Sequence, residues 1–363
     1  MKILLSGGGT GGPVQPVLAV GLEIKKISPA AQILFVGTRR GPEKNMTEKA
    51  GIEFKAIAAA KFRRYFSLKN IFSPFVLVVA FLQALNVVRK FRPDVMFSAG
   101  GYVAVPVAWA AKIYRARIVI HQQDAQVGLA NKLMVPIADQ ITTAFEKTSK
   151  EFYAGSGLNS SWDPASWVGN PVRPDLFTPK TDVNKYFNLH EELPILLVLG
   201  GASGALQINA MISNILPELV LAHQVIHQTG KGKNNIHFRH KNYHAFELIE
   251  FDAYAAILAK AHLVIARAGL STIAELSALG KSAIIIPMPH THQEENAKIL
   301  EDTHSAVVLK GADANPENLS KVINSLKFNQ KRTDMLMENI SKLMPQDATA
   351  KLAKIIIRDN AKS

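Results

Sequence analysis

Short apolar runs alternate along this chain with longer segments whose apolar residues recur every three or four positions. In the first half, strand-like runs fall at Lys2–Ser6, Gln32–Val36, Val95–Ser98, Arg117–His121 and Gln140–Thr143. Helical spacing predicts helices near Val14–Lys26, Pro42–Ala50, Pro74–Phe91, Val103–Tyr114 and Gly128–Ala138. The second half repeats the alternation, with strands expected at Ile195–Leu199, Gln224–Gln228, Phe246–Ile249, Leu263–Ala266 and Ala283–Pro287. Its helices are expected at Ala205–Leu216, Ala253–Lys260, Ser271–Leu279 and Gln293–Asp302, and a basic amphipathic segment, Ala348–Arg358, closes the chain. Such alternation predicts an α/β protein with parallel sheets covered by helices on both faces. Between the halves, Lys147–Ser166 has no apolar period and is rich in Ser, Gly, Asn and Asp, the composition of a loop.

With 363 residues the chain can form two domains of ordinary size. A hydrophobic fraction of 48% and a charged fraction of 20% are globular values. The absence of cysteine excludes disulfides and thiolate metal sites. The first strand candidate starts at Lys2, which leaves no room for a signal peptide.

Charge changes the picture at one place. Of the formal net +13, seven basic residues (Lys61, Arg63, Arg64, Lys69, Arg89, Lys90, Arg92) lie between Lys61 and Pro93, with no acidic residue among them. Phe62, Tyr65, Phe66, Ile71, Phe72 and Phe75 are interleaved with them. Cations mixed with bulky apolar side chains suit docking on an anionic bilayer, and no nucleic-acid motif accompanies them. Ile71–Val88 carries no charge over 18 residues, which reaches the length of a membrane span. Ser73, Pro74, Gln83, Asn86 and the flanking strands favour a helix buried in an α/β domain instead.

Two glycine-rich turns each follow a strand and precede a helix. The first is Gly7–Gly12, including Thr10, Gly11 and Gly12; the second is Gly200–Gly204, with Ser203 inside it. Unpaired N–H groups at the positive end of a helix form a phosphate site. A third turn, Arg267-Ala268-Gly269-Leu270-Ser271-Thr272, opens a helix that Ser271 or Thr272 would cap. Glu275 falls one turn later, where a carboxylate can accept from the two hydroxyls of a ribose; the alternative is a capping box between Thr272 and Glu275. No turn ends in the Gly-Lys-Ser/Thr of a P-loop. Gly7, Gly9 and Gly12 satisfy GxGxxG, yet the second strand ends in Val36-Gly37-Thr38 with no acid for a dinucleotide ribose.

Other polar groups sit at strand ends. His121-Gln122-Gln123-Asp124 follows the fourth of these strands, at the sheet edge where α/β folds bind ligands. In Asn170-Pro171-Val172-Arg173-Pro174, two prolines orient an arginine that can neutralise a diphosphate. The spacing of His290 and His292 does not fit a helical metal pair, and no third ligand accompanies them, so sugar hydroxyls are the better partners for His292 and Gln293.

In family order and over nearly the whole chain, these motifs resemble the MurG family of peripheral membrane glycosyltransferases. The matching stretches are Gly8–Gly12, Gly100–Val103, His121–Asp124, Gly128–Lys132, Gly169–Arg173, Gly200–Ala205, His227–Gly230, Arg267–Glu275, and His292-Gln293 ahead of Asn296-Ala297. The resemblance implies a GT-B fold of two Rossmann-like domains with a cleft between them. Residues 1–168 would bind the acceptor and the membrane, residues 169–345 would bind UDP-GlcNAc, and a C-terminal helix over 346–363 would return to the first domain. The implied reaction moves GlcNAc, with inversion and without an obligatory metal or cofactor, to the muramyl C4 hydroxyl of lipid I. The place would be the cytoplasmic face of the plasma membrane, in company with other cell-wall enzymes and without nucleic acid. Phe251 would cover the uracil, Glu275 the ribose, and Arg173, Ser203 and the Leu270–Thr272 turn, after Arg267, the diphosphate. His292 and Gln293 would hold the GlcNAc, while Gly8–Gly12 and Asn131 would face the acceptor.

Two departures bear on catalysis. The family places a histidine directly after the first glycine turn, where this chain has Pro13. Its His-Glu-Gln-Asn is here His121-Gln122-Gln123-Asp124. Proline suits a first helical turn but accepts no proton, so Asp124, with His121 beside it, is the expected base.

Overall fold

The computed structural model describes residues 1–8, 11–59, 73–155, 166–189, 193–200 and 205–358. The chain divides into two compact units, Met1–Arg173 with Pro345–Ser363, and Pro174–Met344.

The first unit is built on strands β1 (Lys2–Ser6), β2 (Gln32–Thr38), β3 (Glu53–Ile57), β4 (Val95–Ser98), β5 (Arg117–Gln122), β6 (Gln140–Thr143) and β7 (Ser166–Trp167). They form one parallel sheet in the order β3-β2-β1-β4-β5-β6-β7. The direction of winding reverses between β1 and β4. Side chains alternate across the sheet. Ile3 and Leu5 meet α1 (Gly11–Ile27) and the closing helix α14 (Ala348–Ile357) on one face. Leu4 meets α3 (Ser73–Phe91) and α4 (Ala104–Ile113) on the other. Between β2 and β3 runs α2 (Glu43–Lys49), and after β5 comes α5 (Leu129–Met134). Helix α14 is tied in by more than packing: Arg117 donates to the carbonyls of Ile355 and Ile356 at 2.6 and 2.7 Å. The Thr349 hydroxyl donates to the Val172 carbonyl and accepts from its N–H.

The second unit carries β8 (Ile195–Leu199), β9 (Gln224–Gln228), β10 (Tyr243–Phe246), β11 (Leu263–Ala266), β12 (Ala283–Ile285) and β13 (Val307–Val308). This sheet is also parallel, in the order β10-β9-β8-β11-β12-β13, and reverses between β8 and β11. Its principal helices are α8 (Leu206–Ala222), α9 (Phe251–Lys260), α10 (Leu270–Leu279), α11 (Gln293–Asp302), α12 (Pro316–Phe328) and α13 (Gln330–Lys342). The short helix α7 (Val183–Phe187) also belongs to this unit, while α6 (Glu146–Gly155) belongs to the first.

Several expectations need correction. Helix α6 occupies the start of Lys147–Ser166, the tract expected to be a loop; its sequence, Glu-Lys-Thr-Ser-Lys-Glu-Phe-Tyr-Ala-Gly, is too polar to show an apolar period. The strand expected at Phe246–Ile249 lies three residues earlier, because the Ile249 N–H is taken by the Gln228 side chain at 3.0 Å rather than by a ladder. β12 stops at Ile285, and the next two carbonyls, Ile286 and Pro287, accept from Arg267. Strands β3, β7 and β13 and helices α12 and α13 were not predicted; β3 is a half-polar edge strand, Glu-Phe-Lys-Ala-Ile, without an apolar run. Finally, α3 is not a buried helix. Ala80, Ala84 and Val88 face the core, while Val78 and Leu82 are 58% and 59% exposed.

Candidate functional site

In the second unit the carboxyl ends of β8 and β11 lie side by side. Ala266 pairs with Leu199, so the turn after β11 emerges beside Gly200, at the point where the sheet reverses. Crevices at such reversals, beyond the carboxyl ends of the strands, are where open α/β sheets bind ligands. The next helices along the chain are α8 and α10. The first ladder bond of α10 runs from Ile273 N–H to the Gly269 carbonyl, and that of α8 from Asn209 N–H to the Ala205 carbonyl. The N–H groups of Leu270, Ser271 and Thr272 therefore precede the ladder and are the donors that a helix offers to an anion. Gly269 caps α10 without a side-chain bond. This corrects the expected Ser271 or Thr272 cap and removes the capping box, since both residues sit inside the first turn. Glu275 accepts the Tyr254 hydroxyl at 2.5 Å.

The neighbouring residues are held just as locally. Phe251 opens α9 and lies 6.2 Å from the Tyr254 ring. The next residue, Asp252, accepts from the N–H of Lys180 and from the N–H and hydroxyl of Thr181, bonds that lower its pKa. Arg267 points away from the turn it begins: its Nη1 donates at 3.0 Å to Gln207 and to the Ile286 and Pro287 carbonyls. It ties the ends of β11 and β12 to the start of α8. Gln293 accepts from Met288 N–H at 3.0 Å, and His292, exposed, precedes α11. Buried Asn296 donates to the Ala268 carbonyl and so joins α11 to the β11 turn. Ser203 lies outside the described residues.

Below this edge, His227 is fully buried between the Tyr243 hydroxyl and Asn209, each 3.1 Å away. Burial holds its pKa at about 4 and pushes the Tyr243 hydroxyl up to about 12. Asn209 in turn donates to the Thr229 and Lys233 carbonyls, shaping the loop after β9.

In the first unit the glycine turns after β1 and β4 meet at the corresponding reversal. A Cβ on Gly101, where φ is +96°, would stand 2.7 Å from the Gly8 carbonyl oxygen. Only glycine allows this approach. One turn away His121 is fully buried, with Nδ1 3.0 Å from the Thr142 hydroxyl and Nε2 3.3 Å from Asn170 Oδ1. Burial lowers its pKa to about 4, so the ring is neutral, with one donor and one acceptor nitrogen, both occupied. That geometry positions strands; it does not offer a lone pair to a ligand. Asp124 is half-buried beyond the end of β5. The segment around it is fixed by Gln122, which donates to the Asp124 and Gln126 carbonyls and accepts from Asn131 at 2.6 Å. Asn131 is buried, and its Oδ1 has no hydrogen-bond partner. Gly11, Gly12 and Pro13 form the first turn of α1. Arg173 closes the unit, half-buried, next to the Val172 that α14 holds. Thr10, Phe62, Arg63, Arg64, Phe66 and Phe72 lie outside the described residues; Phe75 belongs to the start of α3.

One group went unnoticed in the sequence. Glu43 is completely buried against the first turn, accepting Thr38 N–H and hydroxyl on Oε1, while Oε2 has no partner. A Cβ on Gly8 would meet its Oε1 at 2.5 Å. Burial, and then the Glu43 charge, raise the pKa of nearby Tyr102. The signal available was a lone acid with glycines at positions 37 and 41 close before it. Among the described residues, no three His, Asp or Glu side chains are grouped to hold a metal, and no helix is long and apolar enough to cross a membrane.

Comparison with known proteins agrees with this arrangement. Residues 3–143 match the glycosyltransferase family 28 N-terminal domain and residues 195–355 match its C-terminal domain. The chain is 32% identical over 367 residues to a protein of Listeria monocytogenes serotype 4a, covering 98% of this chain and 99% of the relative. It is 34% identical over 361 residues to one of Lachnoclostridium phytofermentans, covering 98% of each. Both relatives are named UDP-N-acetylglucosamine–N-acetylmuramyl-(pentapeptide) pyrophosphoryl-undecaprenol N-acetylglucosamine transferase. In fold, the chain is similar to the crystal structure of Acinetobacter baumannii MurG, with TM-score 0.74 at 23% identity over 98% of both chains. It is also similar to UDP-GlcNAc 2-epimerase from Neisseria meningitidis bound to UDP-GlcNAc, with TM-score 0.71 at 14% identity over 99% of this chain and all of that one. With both domains of family 28, two doubly wound sheets of the GT-B class and full-length relatives sharing about a third of its residues, this chain belongs to the MurG family of glycosyltransferases.

Proposed function

We propose that this enzyme transfers GlcNAc from UDP-GlcNAc to the muramyl C4 hydroxyl of lipid I, with inversion, and forms lipid II. The observation that carries the reading is the β8/β11 reversal, where the turn into α10 emerges beside Gly200, with Glu275 one turn into α10. The donor diphosphate would lie against the N–H groups of both turns, Ser203 and Arg173, with Glu275 on the ribose, Phe251 at the uracil, and His292 and Gln293 at the GlcNAc.

The acceptor oxygen attacks the anomeric carbon from the face opposite the diphosphate. The bond from that carbon to the diphosphate oxygen breaks, and UDP leaves with the electron pair. The helix ends and Arg173 stabilise the charge that grows on the leaving group. The acceptor proton must go to a base. Pro13 cannot take it, and His121 is enclosed between Thr142 and Asn170, so Asp124 is the carboxylate assigned to it. His121, Gln122 and Asn131 then act by holding the segment that carries Asp124. Donor activation rests on these protein groups, with no obligatory metal or cofactor.

We assign the acceptor to the first unit, on the Gly8–Gly12 turn and Asn131, and its membrane contact to the basic, aromatic stretch from Lys61 to Phe91. The described part of that stretch supports a wider apolar surface. Leu82 on α3, Trp109 and Ile113 on α4, and Leu129 and Leu133 on α5 are 41–60% exposed on neighbouring helices. Large apolar side chains left outside by three adjacent helices, beside a basic segment, fit peripheral attachment to an anionic bilayer. The location that follows is the cytoplasmic face of the plasma membrane.

The deciding assay offers labelled UDP-GlcNAc with lipid I and scores lipid-linked product against free sugar. Labelled lipid II is the expected result. Label appearing only on a different lipid would replace the acceptor, and binding of UDP-GlcNAc without turnover would reduce the protein to a scaffold.

A further inference from the structure

Tyr254 is a residue that neither the glycine turns nor the proposed reaction accounts for. It lies one turn into α9, and its hydroxyl donates to Glu275 Oε2, on α10, at 2.5 Å. Its ring also neighbours Phe251, with centroids 6.2 Å apart and planes tilted by 39°. A single phenol thus links Phe251, assigned to the uracil, with Glu275, assigned to the ribose. Burial, and then the Glu275 carboxylate, hold the Tyr254 hydroxyl well above its ordinary range. It is therefore a donor at any working pH.

The physical consequence concerns freedom of motion. Glutamate is among the side chains that lose most rotamer freedom when ordered. A carboxylate has about four acceptor positions, and the bond from the phenol directs one of them. The ordering is then completed on folding and not charged against binding, which is preorganisation. A carboxylate held in place also discriminates: a sugar lacking one hydroxyl leaves a fixed acceptor poorly satisfied, whereas a mobile one can swing to water.

Resting on the assignment of Glu275 to the donor ribose, we infer that Tyr254 is a positioning residue for ribose recognition, setting the preference for ribonucleotide over 2′-deoxyribonucleotide by fixing the Glu275 carboxylate. Calorimetric titration of the full-length protein with UDP and with 2′-deoxy-UDP tests this. Wild type should prefer UDP by about tenfold or more, and Glu275→Ala should remove most of that preference. Tyr254→Phe should weaken UDP binding about 3- to 10-fold and leave 2′-deoxy-UDP nearly unchanged, so that the ratio falls. In the Glu275→Ala background, Tyr254→Phe should change neither affinity. Tyr254→Met, which fills the space with a flexible side chain, should reproduce the loss should the phenylalanine variant fold poorly, and thermal melting distinguishes the two cases. An unchanged ratio in folded Tyr254→Phe or Tyr254→Met, with Glu275→Ala still reducing it, overturns the positioning role alone. A ratio unaffected by Glu275→Ala, or no UDP binding by wild type, overturns the ribose assignment and this role together.

Discussion

At the level of single residues, the chemistry hinges on which polar groups are enclosed by protein and which lie at the sheet edge. Asp124 and His121 are three positions apart, yet one is half-buried at the sheet edge and the other is enclosed by protein. A positioned base is worth about 10²–10⁴-fold in rate. Asp124→Asn is therefore expected to cost at least about tenfold in kcat with little change in affinity for UDP-GlcNAc, measured by steady-state kinetics and calorimetry. Full turnover in that variant would limit Asp124 to hydrogen bonding. The buried histidines predict a pH effect on folding instead. In the folded chain His121 and His227 have pKa values of about 4, below the ordinary 6.5. The unfolded chain binds more protons between these values, so the stability these sites support is intact above about pH 6.5 and is lost as pH falls toward 4. Each site should contribute a loss on the order of 1–3 kcal/mol across that window, seen as a falling denaturation midpoint from pH 7 to pH 4.5. His121→Gln and His227→Gln should each flatten the curve; an unchanged slope would mean these rings are protonated in the fold.

At the scale of elements, the closing helix α14 has a larger part than its position at the end of the chain suggests. Leu352, Ala353 and Ile356 are fully buried against α1 and the β1 face, and Arg117 holds the last carbonyls of the helix. Through Thr349 the same helix fixes Val172, one residue before Arg173. Truncating a buried leucine costs about 2–5 kcal/mol, and Leu352→Ala should destabilise the first unit by that amount in chemical denaturation. Because Arg173 is assigned to the leaving diphosphate, kcat should fall as well, under conditions where the protein remains folded. A stable variant with normal kcat would show that α14 is peripheral to both.

The whole molecule combines two doubly wound sheets, each reversing between its two central strands: β1 and β4, and β8 and β11. Net charge and exposed apolar surface belong to this scale too. The basic excess is formally +13, and the exposed Leu82 and Ile113 lie on adjoining helices of the first unit. Replacing both by Ser should lower sedimentation with anionic vesicles at least about tenfold, given the transfer energy of exposed leucine-sized groups. Arg63→Glu with Arg64→Glu should lower it in a salt-dependent way, at about 1 kcal/mol per cation near the surface. UDP-GlcNAc binding should be unchanged in both doubles. Vesicle binding equal to wild type in both would remove the docking surface from this face.

Local patterning accounts for much of this fold. The apolar runs placed most strands to within a residue or two, because a strand buried on both faces must be almost wholly apolar. The turn after β11 was legible for a similar reason: a tight turn into a helix end is a property of five or six consecutive residues. The edge strand β3 and helix α6 were not, since half-polar elements lack that contrast. What the tertiary structure alone decided is which turns share a crevice and which polar groups face it. Gly200 and Arg267 are neighbours because β8 pairs with β11, and Gly8 meets Gly101 because β1 pairs with β4. The enclosure of His121 by Thr142 and Asn170, the burial of Glu43 and the bond from Tyr254 to Glu275 follow from the same cause. Each joins residues on different elements, and only the pairing and packing of those elements brings them within hydrogen-bonding distance.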